Sequence, residues 1–380
     1  NIQILFIGIY FNRVNLNNYM LIRCLIFLLL SISCIGQENW GTTQTGLLTG
    51  VTNIIIPGAT SSSPSLTFIS SAYTQEAVYS GWVDAINGSE LTLDGFTGTE
   101  FEDPPWVDNE LAQTPHLLRV VDGNADGNAN VFSTVNGHVF NVIGHIGNDL
   151  TVNLPPGQMS SYFAIYDGVQ IIKATTLESL FGVGEDFTGT SGTPGASDNI
   201  LIWSSVGWKV YFHYNDKWQT FGTRADQSST IIYPDEGMVY VRRGDAHTLS
   251  FSGLVPPSVQ SYLPGAGGKF LMSNPYPVVQ TISQLIDINS NWISSNDPNN
   301  ADQILSWSDS AWIAYYNNIA DEWVNIATGQ VDDYEFQPGE SFFIIRSNNM
   351  GNGVVLTTTS AIVVIFSYTA KPCYIINNTI

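Results

Sequence analysis

The chain has 380 residues and a formal net charge of −21, with 12 Lys and Arg against 33 Asp and Glu. That balance disfavours nucleic acid and anionic lipid as partners, because both are held by clustered cations. Hydrophobic residues make up 44% and charged residues only 12%, so a core is affordable and surface polarity falls to Asn, Ser, Thr, Gln and Gly, as in β-rich extracellular proteins.

Residues 1–19 lack an initiating Met and read as non-native upstream sequence, with a start at Met20. Residues 20–36 carry Arg23, then an apolar run from Cys24 to Ile32, then small residues up to Gly36. This is the pattern of a signal peptide, too short to span a bilayer. Cysteines occur at 24, 34 and 373 only, so the body of the chain has neither a disulfide framework nor a thiolate metal site.

Residues 39–165 read as an N-terminal β domain, a small barrel or sandwich. Tyr79–Ile86 faces Leu91–Leu93 across Asn87-Gly88, the strongest short hairpin signal. The stretches at 138–146 and 150–154 alternate apolar and polar residues around Gly147-Asn148. Residues 166–253 and 274–359 then form two related β units. Asp198, Ile200, Leu201, Trp203, Trp208 and Tyr211 recur at an offset of 104 as Asp302, Ile304, Leu305, Trp307, Trp312 and Tyr315. Trp218 answers Trp323, and Pro234, Glu236 and Arg242 answer Pro338, Glu340 and Arg346. Each unit opens with a short predicted helix capped by Thr, at Thr176 and at Thr281. Residues 254–273 are rich in Pro and Gly and read as a linker, and residues 360–380 form a tail of uncertain status. The expected fold is all-β with a few short helices: a small barrel or sandwich, then a tandem pseudo-symmetric pair of β units.

These motifs carry a resemblance. Thr176-Leu177, Leu180-Phe181-Gly182, Trp203, Trp208, Tyr211, Trp218, Pro234-Asp235-Glu236-Gly237, Asn274-Pro275-Tyr276-Pro277 and Pro338-Gly339-Glu340-Ser341-Phe342-Phe343 resemble an uncharacterised family of secreted proteins expanded as paralogues in Verrucomicrobia. The second half also resembles β-sandwich segments of Bacteroidetes surface proteins. The resemblance implies export and β architecture, and brings no activity or catalytic residue.

Two features are candidates for function. The aromatics Trp208, Tyr211 and Trp218, with Trp312, Tyr315 and Trp323, would either stack on sugar rings or fill the core; recurrence in a duplicated scaffold favours the core. Asp122, Asn124 and Asp126 stand at positions 1, 3 and 5 of a calcium-loop-like stretch with Gly127 at 6, but position 12 is Ser133 where a bidentate Glu is needed. A polar turn explains the same residues. His116, His138, His145, His213 and His247 show no zinc spacing. Arg242, Arg243 and Arg346 end matching strands, and Asp235 or Glu236 are their expected partners. No nucleophile elbow or phosphate loop is present. The sequence therefore points first to a non-catalytic structural or interaction protein, secreted or at the cell surface. A glycan-binding module comes second, and an extracellular hydrolase with a carboxylate pair assembled in space comes third. Its partners are glycans or other surface proteins, and the mature chain has no membrane span.

Overall fold

The computed structural model describes residues 49–60, 63–96, 114–122, 137–154, 158–182, 193–256, 258–263, 265–286, 292–308, 311–348 and 354–359, all within the unit Gly46–Phe366. In chain order these begin with strands β1 (Thr49–Ile56) and β2 (Ser65–Ile69). Next come β3 (Ala77–Asn87), β4 (Glu90–Leu93), β5 (His116–Asp122), β6 (Val139–Ile146), β7 (Asp149–Val152), helix α1 (Met159–Tyr162) and β8 (Gly168–Lys173). Helix α2 (Leu177–Phe181) leads to β9 (Asn199–Ser204), β10 (Gly207–Tyr214), β11 (Lys217–Thr220), β12 (Met238–Arg242) and β13 (His247–Leu254). The rest are β14 (Ser258–Leu263), β15 (Lys269–Ser273), β16 (Gln280–Thr281), α3 (Ile282–Leu285), β17 (Gln303–Ser308), β18 (Ala311–Asn317), β19 (Trp323–Asn325), β20 (Glu335–Phe336), β21 (Ser341–Ile345) and β22 (Val354–Thr359). The fold is all-β, with short helices inserted. Among the described residues no helix is long and apolar enough to cross a membrane.

Strands β3 to β8 close a six-stranded antiparallel barrel in the order β3-β4-β7-β6-β5-β8. Six strands enclose a narrow interior; one residue in two points inward, and Val83, Leu91, Leu118, Val120, Leu150, Val169 and Ile171 fill it. Met159 and Phe163, at either end of α1, belong to the same core. Register shifts between Val83 and Ala85, and between Val142 and Gly144, mark bulges of the kind that bend strands into closure. Gly88, at φ +65°, makes the hairpin turn after Asn87. The barrel ends later than the sequence boundary at 165, because β8 pairs with both β3 and β5.

Ten of the remaining strands form two five-stranded sheets of identical order. One runs β11-β10-β9-β12-β2 and the other β19-β18-β17-β21-β15. Residues at the 104 offset hold matching registers: Trp208 opposes Trp203 and Trp312 opposes Trp307, while Tyr240 opposes Ile200 and Ile344 opposes Ile304. The outer strands correct the sequence reading. β2 falls inside the expected N-terminal domain, yet it pairs with β12. The expected linker 254–273 contains two strands: β15 pairs with β21, and β14 pairs with β22. β1 likewise pairs with β13. Such partners lie far apart in sequence, where periodicity carries no signal.

Each half thus has a flanking ribbon (β1 with β13, β14 with β22) and a five-stranded sheet. The two halves differ between second strand and helix. After β2 and Tyr73 the first half detours through the whole barrel before reaching α2; after β15 and Tyr276 the second half needs only Pro277–Gln280 to reach Thr281 and α3. Both helices start with a capping box. Ser179 N–H donates to Thr176 Oγ1 at 3.1 Å, and Gln284 N–H to Thr281 Oγ1 at 3.3 Å. Leu177, Phe181, Ile282 and Leu285 turn into one large core that both halves share.

The halves meet through reciprocal contacts. Ile69 bridges to Glu340, and Met272, at the place of Ile69 in the second sheet, bridges to Glu236, the counterpart of Glu340. Ser70 N–H donates to Gly339 O at 2.8 Å and Gly237 N–H to Leu271 O at 3.0 Å. This self-complementary contact is the kind a two-fold dimer makes. Each half also carries one buried ion pair. Arg242 Nη1 lies 2.5 Å from Asp198 Oδ2, and Arg346 Nε lies 3.4 Å from Asp302 Oδ1. The expected partners Asp235 and Glu236 are therefore replaced by the aspartates just before β9 and β17. Each aspartate also accepts the backbone N–H that follows its arginine, at 2.6 Å from Arg243 N and 2.6 Å from Ser347 N. Arg243 instead donates to Asn199 Oδ1 at 2.8 Å and to Ser197 O.

Candidate functional site

Side chains alternate across a strand, so Trp208 and Tyr211, three apart on β10, face opposite sides of their sheet. The same holds for Trp312 and Tyr315 on β18. This separates the six candidate aromatics into two groups. Tyr211, Trp218, Tyr315 and Trp323 all face the shared core and are buried. Trp218 packs on Phe181 and donates its Nε1 to Gly182 O at 3.1 Å, and Trp323 lies edge-on to Trp292 at 5.6 Å. These four offer no face to a ligand; their recurrence reflects packing. Burial raises the Tyr211 and Tyr315 phenols above their ordinary range.

Trp208 and Trp312 are different. They keep 39% and 41% of their surface exposed. Each stands edge-on to its cross-strand partner, Trp203 or Trp307, at 5.1 Å. Such directly opposed pairs hold one another in place. Phe343 of β21 then joins the two halves: its ring centroid is 5.4 Å from Trp203, 5.7 Å from Trp208 and 5.7 Å from Trp312. Phe68 of β2 lies 4.9 Å from Trp312 and 5.7 Å from Trp307. The result is a continuous strip of six rings drawn from four hairpin positions and two sheet strands. Its floor is the buried set Phe68, Val239, Val241, Leu271 and Phe343, with Leu201 and Leu305 beside it. Trp203 Nε1 donates to Lys269 O at 3.0 Å, which ties the first hairpin to β15 of the second sheet. Every ring sits on a strand, so the strip is preorganised.

Trp203 and Trp307, which recur with the candidate aromatics in the repeat, belong to this strip, as do Phe68 and Phe343, which the sequence does not mark as binding residues. Strand parity offers a signal for the first two, because Trp203 and Trp208 flank a tight turn. Nothing local marks Phe68, whose strand joins the sheet from far away in sequence.

The acidic turns do other work. Glu236 Oε2 accepts the Tyr233 N–H at 3.2 Å, and Glu340 Oε2 accepts the Gln337 N–H at 2.9 Å. Each closes a turn with Pro as its second residue. Glu340 Oε1 is further held by Ser306 Oγ at 2.9 Å and Tyr334 Oη at 3.0 Å. Burial pushes Asp235 up to about 6 and Glu236 up to about 8, and also raises Glu340. The matched turn-closing role in both halves is structural. Of the candidate calcium loop, only the backbone of Asp122 is described, paired with Gly168 in the barrel. Asn124 and Asp126 lie outside the described residues. Among the described residues no three His, Cys, Asp or Glu side chains gather as a metal site would require. Comparison with family models, with curated proteins and with solved structures finds no match to the chain.

Proposed function

We propose that this is a non-catalytic interaction protein, exported to the cell surface or its surroundings, that contacts its partner through the Trp208–Phe343–Trp312 strip. The observation that carries the proposal is the pair Trp208 and Trp312. They stand at matching positions in two sheets, each about two-fifths exposed, and both touch Phe343. Half-exposed tryptophans held by a rigid apolar floor are what interaction hot spots are made of. The export reading rests on the leader-like residues 20–36 and on the low charged fraction.

The ligand chemistry favoured by the strip is a neutral glycan. Flat rings stack on the apolar faces of sugars, and Ser204 and Ser308 directly follow Trp203 and Trp307. Tryptophan emission of the purified protein, titrated with a panel of neutral polysaccharides with and without calcium, tests this. A saturable shift lost in both Trp208→Ala and Trp312→Ala, with the fold intact by circular dichroism, is the expected result. Absence of any shift across the panel would remove the glycan and turn the search to protein partners. A calcium-dependent response would revive the loop at Asp122.

A further inference from the structure

The barrel contains a second feature that the strip does not use. Arg119, in the middle of β5, is only 5% exposed. Its Nη2 donates to Gln170 Oε1 at 2.6 Å. Its Nε and Nη1 are buried and have no acceptor among the described residues. Among the described residues no carboxylate pairs with it, in contrast to the buried Arg242 and Arg346, each of which has its own aspartate. Burial lowers the Arg119 guanidinium to about 10, so it stays charged at neutral pH.

Its position is specific. Arg119 lies on the outer face of the barrel, two residues along from Leu117, opposite Gln170 on β8 and Val139 on β6. That face is where the barrel meets the first sheet unit: Leu117, Ile172 and Ala174 pack there with Ala77, Val139, Ile231 and Tyr233. A guanidinium held in so apolar a junction is unfavourable unless its charge is met. One side-chain amide oxygen meets one of five N–H donors.

We propose that Arg119 anchors a buried anion site at the junction between barrel and first sheet unit, taking a small carboxylate or an inorganic oxyanion. The planar fork of arginine suits a ligand with two or three oxygens. The depth of the residue restricts the ligand to a small ion, because a polymer has no access to a side chain this buried. Gln170 fixes one edge of the fork and leaves donors for the ion. The bound anion then neutralises the charge and firms the barrel against Ile231 and Tyr233.

The test uses the full chain in a zwitterionic buffer whose only counter-ion is a bulky sulfonate, held at constant ionic strength. Thermal midpoints are read against added formate, acetate and sulfate. The wild type is expected to rise by about 2–4 °C and saturate. Arg119→Met removes the charge and should show no response. Gln170→Glu supplies an internal carboxylate, so it should raise the midpoint without added anion and abolish the response. A response confined to formate and acetate identifies a carboxylate site, and one shared with sulfate a general oxyanion site. No saturable rise in the wild type, or an equal rise in Gln170→Glu, overturns the proposal, even if Arg119→Met fails to fold.

Discussion

Replacing Glu236 by Gln should flatten the pH dependence of stability. Glu236 closes the Tyr233–Glu236 turn and bridges to Met272 at the contact between halves. Burial raises its carboxyl from 4.5 to about 8, with the neighbouring Asp235 adding to the shift. A group whose folded pKa exceeds its unfolded value contributes stability that is complete below the unfolded pKa and lost as pH rises through the folded one. The window is therefore roughly pH 4.5 to 8. A gap of about 3.5 units is worth on the order of 5 kcal/mol at about 1.4 kcal/mol per unit. Gln keeps an oxygen for the Tyr233 N–H and carries no charge. Urea midpoints followed by tryptophan emission from pH 5 to 9 should fall for the wild type and fall less for Glu236→Gln, which keeps the loss due to Asp235 near pH 6 but not the one near pH 8. The variant should be the more stable protein above pH 7. Parallel profiles for the two proteins would refute the reasoning and mean that Glu236 ionises in the folded state at little cost.

Three further outcomes follow from the packing. Trp323→Ala empties a core position and should cost about 3–5 kcal/mol in urea unfolding, while Trp312→Ala, half exposed, should cost clearly less. Asp302→Ala leaves Arg346 buried without its carboxylate and removes the acceptor of Ser347 N–H, so a loss of about 3–5 kcal/mol is expected by the same assay. In Gly237→Ala the new Cβ would meet the Met272 carbonyl oxygen at 2.8 Å and Ser341 Cβ at 2.8 Å. Backbone there cannot move aside cheaply, so the contact between halves should open, with a loss of roughly 1–3 kcal/mol and a lower thermal midpoint.

Much of the local structure was legible because it rests on local chemistry. Thr176 and Thr281 cap helices, Asn87-Gly88 turns a hairpin, and Asp198 and Asp302 mark equivalent places in two sheets. What escaped was everything decided by distant partners. β2 and β15 complete the sheets from segments that look like a separate domain and a linker. The arginine partners, expected nearby in sequence, lie 44 residues away at the strand openings. The aromatics show the limit most plainly. Parity says that Trp208 and Tyr211 take opposite faces, but only the second sheet decides which face is sealed and which meets Phe343.

The barrel behaves as a cassette. Its first and last strands are hydrogen-bonded neighbours, with Ala77 opposite Ile172, so the chain leaves the first sheet unit and returns to it at one place. Its interior forms a core of its own, apart from the one the halves share. The second half crosses the equivalent gap with Pro277–Gln280 alone. The scaffold thus has two equivalent sockets, one loaded and one bridged. Because the insert leaves and rejoins at one place, exchanging it should leave the paired sheets that carry it undisturbed.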